Sequence, residues 1–155
     1  ELANVLGNLA KRTTSMVIKY RDGRLSQEIE TELGEEIKQT LDDFQEYMDK
    51  LQVHSALGLA MDLARKTNVY IDKKEPWALA KDPDRADSLD TVLSTLVRIL
   101  VVLTTMLSPV MPRKMSTLAE YIGLDKIPTF QDLNLTLTHS STVKSGAPLF
   151  PRDHL

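Results

Sequence analysis

Asn4, Asn8 and Arg12 follow one another at four-residue steps, and the only tryptophan of the 155-residue chain, Trp77, stands directly behind Pro76. An amide offers donor and acceptor together, and a guanidinium offers a rigid fork of donors. Such a row can read the edge of a nucleobase or hold a phosphate. At about 100° per residue, four-residue steps drift by only some 40°, so the three side chains form a slanting row beside the leucine stripe of their helix. The same row serves equally as solvent-facing polarity or as interhelical hydrogen bonding. Trp77 has two uses open to it. Its ring can be buried against helices with its nitrogen bonded, the commoner role, or be held out as a base-stacking platform worth roughly 1–3 kcal/mol per base. Asp72, Lys73, Lys74 and Glu75 precede it; the lysines permit phosphate steering and the acids limit how positive that surface becomes.

Other chemistries are poorly provided for. There are no cysteines, which excludes disulfides and thiolate metal sites, and the three histidines, His54, His139 and His154, lie far apart. A formal charge of −3 argues against a broad nucleic-acid clamp but leaves room for a small base-reading site. The first residues show neither a basic region nor an apolar core of a targeting peptide. The chain does not begin with methionine and is expected to be a piece of a longer protein. Its most apolar run, residues 92–107, is short for a membrane span and carries Arg98 in its middle, so it reads as a buried helix and no membrane partner is expected.

The elements that must position these residues are mostly helices. Leu2, Val5, Leu6, Leu9, Thr13, Met16, Val17 and Tyr20 recur at helical spacing up to Asp22 and Gly23, where the chain can turn. Residues 35–51 repeat the pattern with Ile37, Leu41, Phe44, Met48 and Leu51 on the packing side. Residues 53–70 do so with Ala56, Leu57, Ala60, Met61 and Ala64, interrupted by Gly58, where a close helix contact is plausible. Asp82 and Pro83 make a cap and first turn for the helix containing 92–107, which Pro109 and Pro112 end. A short helix then closes at Gly123. Residues 25–33 are expected to form a separate helical turn capped by Ser26 and ended at Gly34. Alternating Leu133, Leu135 and Leu137 predict an extended segment. The fold class is therefore all-α: a helical bundle over 1–123, with a short extended C-terminal tail, 124–155, packed against it.

The stretches "ELANVLGNLAKR", "NVYIDKKEPWALAKD", "LSPVMP" and "PLFPR" together resemble the helical anticodon-binding domain of methionyl-tRNA synthetase, and the resemblance covers nearly the whole chain. It implies that Asn4, Asn8 and Arg12 face the anticodon loop, that Trp77 beside Pro76 stacks on a base, and that Asp72 either accepts a base amino group or holds Arg12. The implied partner is methionine tRNA, read through its CAU anticodon. No HIGH-type or KMSKS motif accompanies these stretches. "KMSTL" at 114–118 lacks the second lysine and follows a long helix, so it is not read as an ATP site. No cofactor is expected in this fragment. The resemblance places ATP, Mg²⁺ and the joining of methionine to tRNA in a catalytic domain of the parent protein, in the cytoplasm. Anticodon domains of the isoleucine, valine, leucine and cysteine enzymes are related alternatives, and a helical protein-interaction scaffold is a third.

Overall fold

The computed structural model describes residues 1–26, 29–134, 141–144, 146 and 148–150. The first leucine stripe winds into α1, Leu2–Arg21, with Leu6, Leu9, Thr13 and Val17 buried. It ends at Asp22 and Gly23, both at positive φ, and Gly23 donates its backbone N–H to the Val17 carbonyl at 3.1 Å. A glycine suits this close-packed left-handed turn: a β-carbon there would lie 2.8 Å from the Val143 carbonyl oxygen.

The next segment departs from expectation. Arg24–Leu25 is a two-residue strand, β1, and among the described residues of 26–33 there is no helix. Glu32 instead gives its backbone N–H to the Thr95 hydroxyl, and Leu33 takes the left-handed conformation (φ 63°) from which α2, Gly34–Asp49, begins. Gly34 therefore opens a helix rather than closing one. Tertiary partners for Glu32 outweigh the local helical pattern.

Leu51 is not on the packing side of α2: it lies beyond the helix in a left-handed turn (φ 58°) and is 85% exposed. After it, α3 runs over Val53–Lys74, a full turn longer than its apolar pattern, and carries Asp72 with it. Glu75 (φ 47°) ends it because Pro76 disfavours a helical residue before it. The short α4, Pro76–Leu79, follows at once with proline at its start. Asp82 caps as expected, its carboxylate accepting from the Asp84 N–H at 3.0 Å, but the turn it opens, Pro83–Arg85, is a 3₁₀ turn leading into α5, Ala86–Leu107.

Helix α5 is buried on nearly every face and contacts α1, α2, α3 and α4. The stretch Pro83–Leu107 has the length and composition of a membrane span, yet 78% of its apolar window is buried inside the protein. The next helix, α6, Pro112–Tyr121, also packs on α5 and ends before Gly123 at φ 77°. Residues 114–118, the KMSKS-like stretch, lie inside α6 with Met115 and Leu118 buried.

The tail is partly helical. Leu133 sits buried on α7, Phe130–Asn134, rather than on an extended segment, while Leu135 and Leu137 lie outside the described residues. Phe130 stacks on Phe44 of α2 with ring centres 5.6 Å apart, and this packing favours a helical turn over the alternation. Beyond it, β2, Ser141–Thr142, pairs antiparallel with β1. Leu133, Val143 and Leu149 join the same apolar core as the long helices.

Gly58 does not mark a helix contact: it is exposed, and a β-carbon there would meet no atom within 4 Å. Gly58→Ala is expected to stabilise α3 by about 1 kcal/mol and to raise Tm by about 2–4 °C. An unchanged or lower Tm in thermal unfolding would contradict this.

Candidate nucleic-acid interface

Arg12 projects from α1 onto α3. One terminal nitrogen of its guanidinium donates to Asn68 Oδ1 at 3.2 Å and the other to Asp72 Oδ1 at 2.8 Å. Asn68 is itself oriented, because its Nδ2 donates to the Ala64 carbonyl one helical turn back. Asn68 and Asp72 thus form a two-point cradle, four residues apart on one helical face, that fixes the plane of the guanidinium. Nε–H and one hydrogen on each terminal nitrogen remain uncommitted among the described residues. Asp72 is 67% exposed, so the ion pair adds at most about 1 kcal/mol to stability. Its consequence is orientation.

Asn4 and Asn8 lie exposed on α1, and neither side chain has a hydrogen-bond partner among the described residues. A Glu1–Arg65 ion pair fastens the start of α1 to α3, and Arg21, bonded to Asp90 and to the Ala86 carbonyl, fastens its end to α5. The polar row is therefore a rigid surface whose amides are unspent.

Pro76 is buried and Trp77 is 40% exposed. The sharp turn at Glu75 separates the two roles: Pro76 and Leu79 pin α4 to the core while the indole faces outward. Trp77 follows Asp72 by five residues, a path of at most about 18 Å, so the aromatic ring and the Arg12 cradle belong to one end of the molecule. Asn4, eight residues before Arg12 on α1, lies about 12 Å farther along the helix.

The end of α3 is held from below. The Tyr70 hydroxyl donates to Glu32 Oε1 at 2.7 Å, Lys74 approaches the other carboxylate oxygen at 3.4 Å, and Thr95 receives the Glu32 N–H and donates onward to the Thr91 carbonyl. Burial, reinforced by the bond to Glu32, pushes the Tyr70 phenol pKa well above its ordinary value, so it stays a donor. Sequence reading did not identify Asn68, Glu32 or Tyr70 as part of this arrangement. Asn68 had a signal, since it precedes Asp72 by the same four-residue step that relates Asn8 to Arg12. Glu32 had none, because its partners are 38, 42 and 63 residues away.

The described residues contain no group of three or more His, Cys, Asp or Glu side chains able to hold a metal. The arrangement can bind and read, through donors, acceptors and one flat ring.

A helical bundle that exposes a row of amides along α1, a cradled arginine and a tryptophan just past the end of α3 is of the class I synthetase anticodon-binding type. Residues 21–150 match the family described as the anticodon binding domain of methionyl tRNA ligase, and the chain belongs to that family. Methionine–tRNA ligases of Lactococcus lactis and Deinococcus radiodurans are each 38% identical over 98% of the chain. The apo methionyl-tRNA synthetase of Mycobacterium tuberculosis superposes with a TM-score of 0.83 at 25% identity, over 99% of this chain and 32% of that one. Its methionyl-adenylate-bound form gives 0.82 at 27% identity, over 97% of this chain and 32% of that one. The chain spans about a quarter of the curated relatives it matches, 24% of the Lactococcus protein. The family match begins at Arg21, whereas the relatives also span the α1 polar row.

Proposed function

We propose that this chain reads the CAU anticodon of methionine tRNA as one domain of a methionyl-tRNA ligase. The observation that carries the reading is the Arg12 guanidinium, held in one plane by Asn68 and Asp72 with donors to spare, at the end of the bundle where Trp77 is exposed. Anticodon bases splayed from their stack meet Trp77 as a platform, and Asn4, Asn8 and Arg12 supply hydrogen bonds to base edges. Asp72 acts through Arg12, and Pro76 acts by anchoring the turn that carries Trp77. In this reading a catalytic domain outside the chain uses ATP, Mg²⁺ and methionine to charge the tRNA. It works in the cytoplasm, and this domain supplies recognition of the anticodon.

Replacing Arg12 separates base reading from simple charge. Arg12→Gln is expected to lower the affinity of a CAU stem-loop by about 1–3 kcal/mol while narrowing its advantage over single-base variants. The salt dependence should stay close to parental. A uniform loss for every anticodon with a shallower salt slope would make Arg12 a phosphate contact instead.

A further inference from the structure

Beneath α4 a cleft of about 450 Å³ opens between the end of α3 and the start of α5. Three cations line it, Lys73, Lys74 and Arg85, together with Ser88 and Thr91. Lys74 is neutralised by Glu32, whose carboxylate also accepts from Tyr70. Lys73 and Arg85 have no ion-pair partner among the described residues, and the Ser88 and Thr91 hydroxyls have no hydrogen-bond partner there. Glu75 is the other carboxylate on the wall, so the cleft carries a net positive charge and two unspent hydroxyl donors.

Its position matters as much as its charge. Glu75 and Leu79 line the cleft, and each is two residues from Trp77, within about 7 Å along the chain. A strand with one base stacked on Trp77 therefore runs past the rim of this cleft, which Lys73 and Arg85 help to line.

We propose that this cleft seats one backbone phosphodiester of the RNA strand whose base stacks on Trp77. The proposal rests on the anticodon-reading function above and extends it from bases to backbone. Two cations and two hydroxyls match a singly charged phosphodiester, and such a contact fixes the register of the loop without reading sequence. Lys73 and Arg85 are then positioning residues for the bases that Trp77 and Arg12 meet.

The test uses this chain and a CAU anticodon stem-loop titrated over a range of KCl concentrations. The variants are wild type, the Lys73→Gln/Arg85→Gln double variant, and Lys50→Gln, a surface cation at the end of α2 paired with Glu46. The double variant is expected to flatten the slope of log K against log[KCl] by about 0.7, the value for one phosphate of a single strand. Its preference for CAU over single-base variants should be kept, and Lys50→Gln should leave the slope alone. Uncharged methylphosphonates placed singly through the loop should include one position that weakens wild type and has no effect on the double variant. A parental slope in the double variant, an equal flattening by Lys50→Gln, or methylphosphonate losses identical in both proteins would overturn the seat. Anticodon discrimination by wild type tests the underlying reading, so the two failures are distinguishable. Lys73 and Arg85 are both exposed, and an unchanged Tm confirms that the comparison is between folded proteins.

Discussion

Trp77→Ala is expected to weaken binding of a CAU stem-loop by about 1–3 kcal/mol, roughly 5- to 150-fold in Kd, with little change in thermal stability. The two effects separate because α4 divides the labour: Pro76 and Leu79 are buried and hold the turn, while Trp77 is 40% exposed and offers part of its ring to solvent. Trp77→Phe should recover part of the loss, since a smaller ring still offers a flat face. As the only tryptophan in the chain, Trp77 also reports directly: its fluorescence should change on addition of CAU RNA with the same midpoint as binding. In the full-length ligase proposed above, methionyl-adenylate formation should persist while tRNA charging at subsaturating tRNA falls. A folded Trp77→Ala chain that binds at parental affinity would return Trp77 to a packing role.

Leu100→Ala is expected to give the largest loss of stability, about 2–5 kcal/mol and a Tm drop of roughly 4–20 °C. Leu100 is fully buried on α5, the helix that contacts α1, α2, α3, α4 and α6. Truncation there removes apolar contacts at the axis, where the surrounding helices relax only partly into the space. Leu100→Met, which nearly conserves volume, should cost less than about 1.5 kcal/mol. The cost falls on folding rather than on recognition, because Leu100 is far from solvent. Below its Tm the folded Leu100→Ala protein should still prefer CAU, and bound RNA should raise its Tm by mass action. Thermal unfolding with and without RNA checks both statements; equal Tm values for the alanine and parental chains would show that α5 is not the axis described here.

The long helices were legible because their apolar residues repeat at the helical period over several turns, and several of their ends carry recognisable punctuation in Gly23, Asp82, Pro83 and Gly123. What was hidden depended on distant partners. The segment around Glu32 has a helical pattern, yet Thr95 and Tyr70 take up its polar groups and it stays irregular. Leu133 alternates with Leu135 and Leu137 as a strand residue would, but it sits on the helix Phe130–Asn134, whose Phe130 stacks on Phe44. Gly58 looked like a contact and is open surface. At the candidate site, the four-residue row and the Pro76–Trp77 pair are visible in sequence. That Asp72 holds Arg12 was one of the two roles the resemblance implied, and the ion pair between them realises it; spacing alone could not choose it, because that requires knowing that α1 and α3 are neighbours.

The most direct measurement is a titration of this chain with CAU stem-loop RNA and with stem-loops changed at each anticodon base in turn, all at one salt concentration. The account predicts tightest binding to CAU, with each substitution at a base read by Arg12, Asn4 or Asn8 costing about 1–3 kcal/mol. Equal affinity for CAU and every variant would contradict anticodon reading by this domain.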